Sequence, residues 1–284
     1  MLRHVRRNNQ DRTSGLKRPR QLEECGFGTP AEPFRLPLRK TPNGSNCLHC
    51  VTDMCDCKWV EDQLRECYSN LSVTRQVQQY RKRELCAKSV LPPFVARLVR
   101  LSGVKSGDVF YDLGCGNGSV LFHVALLTGA RCVGVEINER NATVAREAWR
   151  YLQPIFEARC GKSLDVEIIT GDFCSVVKRE EFFSSSPVVW VANLLLPRPV
   201  NHFLSERFRL LPEGSRILCM EDLYPHARSV AALRDPDAFE KFTMTDFKWQ
   251  AMSVEWSYTE GSFYMYTRRE SEKGVKNQKE EKKL

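Results

Sequence analysis

Three acidic residues, each set where a β-prone run gives way to a turn, are the positions of this chain with the most chemistry in them. Asp112 opens the run Asp112-Leu113-Gly114-Cys115-Gly116-Asn117-Gly118-Ser119, Glu136 closes the apolar run Cys132–Val135, and Asp172 follows Thr170-Gly171 and precedes Phe173. A glycine-rich turn lets the backbone approach a ligand closely. Acids at strand ends present carboxylates to hydroxyls, amines or ammonium groups. A dinucleotide pyrophosphate calls for G-x-G-x-x-G with its phosphates on a helix N-terminus. Here the spacing is G-x-G-x-G and a carboxylate sits directly ahead, which repels a pyrophosphate. S-adenosyl-L-methionine has no phosphates and carries an ammonium, and it fits this set. Asp112 would face the ammonium, Glu136 both ribose hydroxyls, and Asp172 with Phe173 the adenine amine and ring.

Positioning those acids requires an alternating α/β chain. β-prone runs at 108–113, 131–136, 166–170, 188–193 and 215–221 are separated by helix-like stretches at 118–128, 139–159 and 199–210. Repeated strand-helix units build a mostly parallel, doubly wound sheet, and ligands bind such sheets at the carboxyl ends of the strands. Residues 94–104 place Phe94, Val95, Leu98, Val99 and Leu101 on one helical face ending near Gly103, with Leu91-Pro92-Pro93 as an interruption ahead of them. Two aromatic-rich runs around a turn near Thr259–Gly261 predict an antiparallel hairpin closing the sheet.

The rest of the 284 residues is polar and unevenly charged. The net charge of +8 is concentrated in residues 1–20, where Arg3, Arg6, Arg7, Arg12, Lys17, Arg18 and Arg20 face the one acid Asp11. That stretch has no apolar face for a signal or transit peptide; it reads as a phosphate-binding or nuclear-import patch, or as a solvated arm. No apolar run reaches the ~18 residues of a membrane span. The twelve cysteines, without a secretion signal, are expected as thiols in a reducing compartment. Cys47, Cys50, Cys55 and Cys57, with His49, are dense enough for a zinc site, although the one-residue gap between the last pair strains tetrahedral geometry. Unliganded thiols in a short loop are the alternative. Composition sets apart a basic, proline-rich arm (1–46), a cysteine-rich helical region (47–93) and a charged tail (269–284) from the alternating α/β region expected over 94–268.

The ordered set from "DVFYDLGCGNGSVLFHVALLTGARCVGVEINERNATVAREA" through "ITGDF" and "VVWVANLLLPRPVNHFLSERFRLLPEGSRIL" to Trp256–Tyr264 resembles the disruptor-of-telomeric-silencing family. Members of that family are histone lysine methyltransferases without a SET domain. The resemblance implies a class I methyltransferase fold with a seven-stranded sheet behind a small helical N-terminal region, S-adenosyl-L-methionine as methyl donor, and a lysine in the core of nucleosomal histone H3 as acceptor. It also implies a nuclear location and basic arms that meet DNA phosphates. Position by position it assigns Phe110, Asp112, Gly114, Cys115, Gly116, Asn117, Gly118 and Ser119 to the cofactor loop. Glu136, Asp172 and Phe173 complete that site. Asn193 would orient the amine, and Trp256, Phe263 and Tyr264 would line the lysine channel.

The chain departs from the family in Ala192 and Leu194–Leu196, which replace an asparagine and aromatics, and in Phe263, which replaces a tyrosine; no residues upstream of Phe94 match the family's cofactor lid. Two rival readings are a nucleic-acid methyltransferase and a catalytically silent nucleosome-binding adaptor. Against the first, Asn193-Leu194-Leu195-Leu196 is not the Asn/Asp-Pro-Pro-aromatic motif of adenine methylation.

Overall fold

Strands buried on both faces read as continuous apolar runs. The five parallel strands here are β1 (Val109–Leu113), β2 (Arg131–Glu136), β3 (Val166–Thr170), β4 (Val188–Val191) and β5 (Arg216–Cys219). Four of the five are largely buried, the edge strand β3 less so. The computed structural model describes residues 56–76, 89–226 and 230–270. The sheet has seven strands in the order β3-β2-β1-β4-β5-β7-β6. β7 (Gly261–Arg268) runs antiparallel to β5, and β6 (Phe242–Trp249) antiparallel to β7. β1 lies between β2 and β4, so successive connections leave it in opposite directions and open a crevice at its carboxyl end.

Side-chain alternation along the strands sends neighbours into two cores. One layer joins Phe110, Val188, Trp190, Leu218, Phe247 and Phe263 to the helices α1 (Cys57–Asn70), α2 (Pro92–Ser102), α3 (Ser119–Thr128) and α4 (Glu139–Cys160). The other joins Tyr111, Val189, Ile217, Met244 and Tyr266 to α5 (Phe173–Val176), α6 (Arg198–Phe208) and α8 (Pro236–Lys241), with the short α7 (Ala231–Arg234) just before α8. Val60, Leu64 and Cys67 of α1 are buried in the same cluster as α3 and α4, so α1 shares one core with the sheet.

Two expectations need correction. The helix ahead of β1 begins at Pro92 and not at Phe94: at the first position of α2 a missing N–H costs nothing and the fixed φ suits the first turn. The closing hairpin uses β6 from Phe242 onward, and 250–260 is its connecting loop. Val254 forms only isolated bridges, to Val90 and Ser257. The segment 253–255 is diverted because it meets upstream backbone: Leu91 N–H donates to Ser253 O at 2.9 Å and Glu255 N–H to Ser89 O at 3.0 Å. Cys47, Cys50, Cys55 and His49 lie outside the described residues. Cys57 is buried at the start of α1, and among the described residues no group of His, Cys, Asp or Glu is arranged to hold a metal. No helix among them is long and apolar enough to cross a membrane.

Candidate active site

The glycine turn between β1 and α3 is held from beneath by the neighbouring strand. Gly114 and Cys115 N–H donate to Val135 O at 2.8 and 3.0 Å, and Gly116 N–H donates to Glu136 Oε2 at 2.8 Å. Gly114 and Gly116 have φ of +94° and +56°, and a Cβ on either would project into open space. That space is part of a cavity both glycines line, which a side chain at either position would narrow. Gly118 serves packing instead: its Cβ would come within 2.4 Å of the Phe122 ring.

Asp112, next to last in β1, is 2% exposed, and its Oδ2 has no hydrogen-bond partner. Burial first, and then the charge of Glu136, push its carboxyl up to about 8. A buried, unpartnered carboxylate facing a cavity is the complement of a cation. Glu136 is raised by burial as well, against the lowering effect of backbone N–H groups. Its Oε1 accepts from Asn138 N–H at 2.7 Å, and each oxygen keeps a second acceptor site. Asp172 caps α5 by accepting from Cys174 N–H at 2.8 Å.

These groups open onto one cavity of about 830 Å³. Its near end is walled by Asp112, Gly114–Asn117, Ser119, Glu136, Asp172 and Phe173. Its far end, over β4 and β5, is walled by Trp190, Leu194–Leu196, Trp249, Trp256 and Glu221. Phosphate-free polar recognition at one end and an apolar, indole-rich slot at the other suit a cationic nucleoside donor and a long aliphatic acceptor.

Of the expected site residues, Asp112, Gly114, Cys115, Gly116, Asn117, Ser119, Glu136, Asp172, Phe173 and Trp256 line this cavity. Phe110 does not: it is fully buried in the helix-facing core and anchors β1. Asn193 is fully buried too, and its carbonyl oxygen accepts from both Met220 and Glu221 N–H at 2.8 Å. Both acceptor sites are thereby used, so it cannot orient an amine and instead ties β4 to β5. Phe263 and Tyr264 are neighbours on β7 and point to opposite faces. Phe263 is 1% exposed, stacked on Phe247 at 5.3 Å and packed on Phe94 at 5.0 Å. Tyr264 packs against the other layer, its ring 6.2 Å from His226. Only Trp256 of that trio reaches the cavity, next to Trp249 with ring centroids 6.3 Å apart.

The structure adds residues that sequence reasoning missed. Tyr68 of α1 donates to Asn117 O at 2.8 Å and steadies the glycine loop. Arg75, Ser89 and Val90 line the cavity from upstream. Arg75 bonds Ser89 and pairs with Glu255 at 2.7 Å. Ser89 N–H donates to the same carboxylate at 2.8 Å. Glu255 therefore joins Arg75 and Ser89 to the β6–β7 loop beside Trp256. The polar, charged run around Arg75 gave a clue only to helical character.

Similarity to known proteins follows the same residues. A family model described as "Histone methylation protein DOT1" matches residues 72–268, more than half of the chain. A protein of Emericella nidulans named "Histone-lysine N-methyltransferase, H3 lysine-79 specific" is 26% identical over 220 residues, covering 74% of this chain and 42% of that protein. One of the same name from Dictyostelium discoideum is 27% identical over 185 residues, covering 62% of this chain and 10% of that protein. The chain thus spans less than half the length of these curated relatives. Among solved structures, an RNA methyltransferase from Salinibacter ruber in complex with S-adenosyl-L-homocysteine is 22% identical, with a TM-score of 0.41 over 63% of this chain and 92% of that chain. The matched region begins just ahead of Arg75, takes in the glycine loop and all three strand-end acids, and ends with β7; on that match the chain belongs to the DOT1 family of histone methylation proteins.

Proposed function

We propose that this protein transfers methyl groups from S-adenosyl-L-methionine to a lysine in the globular core of nucleosomal histone H3. The observation that carries the reading is the single cavity joining an unpartnered, buried Asp112 carboxylate to an end walled by Trp190, Trp249 and Trp256. S-adenosyl-L-methionine supplies an electrophilic methyl group on a sulfonium. Asp112 holds its ammonium, Glu136 its ribose hydroxyls, and Asp172 and Phe173 its adenine. Pairing with the ammonium offsets the burial that raises the Asp112 carboxyl.

At the far end, Leu194–Leu196, Trp249 and Trp256 hold the lysine stem and exclude water. An ammonium is disfavoured in such surroundings, so the lysine is driven towards its neutral, nucleophilic form. The same indole faces then favour the methylated cation. Orienting donor and acceptor is the main contribution asked of the protein. The protein acts in the nucleus on chromatin, where Arg3–Arg20 meet DNA phosphates through salt-sensitive contacts.

The test is transfer of labelled methyl by the purified full chain to intact nucleosomes, free histones, DNA and RNA in parallel, with Gly116→Arg as the blocked-loop control. Label on H3 of nucleosomes, absent in the control, supports the reading. Label on nucleic acid replaces it with a nucleic-acid methyltransferase. Cofactor binding without transfer to any acceptor replaces it with a silent adaptor.

A further inference from the structure

Five charged side chains line the cavity: Arg75, Asp112, Glu136, Asp172 and Glu221. Four have tasks already described. Arg75 is tied to Glu255, Asp112 and Glu136 flank the glycine loop, and Asp172 caps α5. Glu221 belongs to none of these. It follows β5, two strands from β1 and so about 10 Å away across the sheet, and it lies three residues beyond Leu218, the β5 position level with Asp112. Leu194, Leu195, Leu196, Trp249 and Trp256 line the same cavity.

The surroundings hold Glu221 in place. Its N–H donates to Asn193 Oδ1 at 2.8 Å, its carbonyl accepts from Asn193 Nδ2 at 3.4 Å, and its Oε2 accepts from Asn201 Nδ2 at 3.3 Å. Asn193 itself is held by Asn201 at 3.0 Å. A carboxylate has about four acceptor sites, and Asn201 occupies one. Glu221 is solvent-exposed while it lines the cavity, which places it at the mouth. A carboxylate at the mouth of an apolar, indole-walled slot is complementary to one kind of group, a cation on an aliphatic stem.

We propose that Glu221 is the acceptor-recognition carboxylate: it pairs with the ammonium of the incoming lysine at the mouth of the apolar end, and Asn193 and Asn201 position it. The assignment rests on the lysine-methyltransferase reading. It makes Glu221 a specificity determinant that acts on acceptor binding and leaves the cofactor end untouched.

Glu221→Gln and Glu221→Lys in the full chain, assayed on nucleosomes with saturating labelled donor, test it. Gln keeps an oxygen for Asn201 and removes only the charge. The expected result is an acceptor KM raised about 5- to 10-fold with kcat within about 2-fold. Lys, with the opposite charge, lowers kcat/KM by about 100-fold or more. S-adenosylhomocysteine binding and thermal midpoints of both variants stay at the unmodified values. An unchanged KM in Glu221→Gln overturns the proposal. Equal losses in both variants, with lowered midpoints, also overturn it by showing a structural role. Absence of transfer by the unmodified protein overturns the parent reading, and this assignment with it.

Discussion

Asp112→Asn should stabilise the protein while weakening its hold on the cofactor. In an unfolded chain the carboxyl titrates near 3.8, and in the folded protein it is pushed up to about 8. A group whose folded pKa is raised binds its proton more tightly when folded, so stability falls as pH climbs between the two values. At 1.36 kcal/mol per pKa unit the gap corresponds to on the order of 5 kcal/mol, an upper bound reached by about pH 8. The group is 2% exposed, so solvent screening takes little from that figure. Urea unfolding of wild type and Asp112→Asn from pH 5 to 8.5 reads the effect. The variant's advantage should be small at pH 5 and grow to several kcal/mol by pH 8.

The difference between the two proteins isolates Asp112, because groups common to both cancel. A saturating cofactor analogue should close the gap from the wild-type side, contributing about 2.7 kcal/mol at a hundredfold excess over Kd. The variant, lacking the charge, should bind about 10- to 100-fold more weakly. Parallel stability curves across the pH range, or unchanged cofactor affinity in Asp112→Asn, would refute the reasoning.

Phe263→Ala removes a ring buried between Phe94 and Phe247 and should cost about 3–5 kcal/mol in chemical denaturation. Trp256→Ala should leave cofactor affinity and most stability intact and lower methyl transfer at least about 10-fold; the reverse ranking of the two in activity and melting assays would return Phe263 to the channel. His226 donates from Nε2 to Asp246 at 2.6 Å and from Nδ1 to Tyr224 O at 2.7 Å, with Asp222 3.3 Å from Nδ1. Burial alone would lower its pKa, but these acids raise it to about 9. Its stabilisation is therefore complete below pH about 6.5 and lost as pH rises through about 9. Urea midpoints of wild type and His226→Gln should converge over that window; a constant separation would contradict the ion-pair assignment.

The strand-end acids were legible because their positions follow from local periodicity. Each closes an apolar run, and topology alone then brings the carboxyl ends of β1, β2 and β3 together. β6 was not legible, because its apolar residues change face midway. Phe242 and Met244 enter one core, whereas Phe247 and Trp249 enter the other. No simple alternation survives over those eight residues, although the strand itself is regular. Tyr68, Arg75 and Ser89 were hidden for another reason. Their site contacts span 49 residues for Tyr68 to Asn117 and 180 for Arg75 to Glu255, and no local pattern encodes such a pairing.

Phe263 and Asn193 mark the limit of transferring a role with a residue type. Adjacent strand positions face opposite sides, so Phe263 and Tyr264 could not share a channel once both belonged to β7. Asn193 is subtler, since it stands where expected and its side chain is fully engaged. Its carbonyl oxygen spends both lone pairs on Met220 and Glu221, and its amide reaches Asn201 and the Glu221 carbonyl. A buried amide satisfied in this way is costly to rearrange, and it fixes the backbone on which Glu221 is carried. On the proposed reading, an acceptor entering the cavity meets the Glu221 side chain, whose backbone Asn193 fixes, and not Asn193 itself.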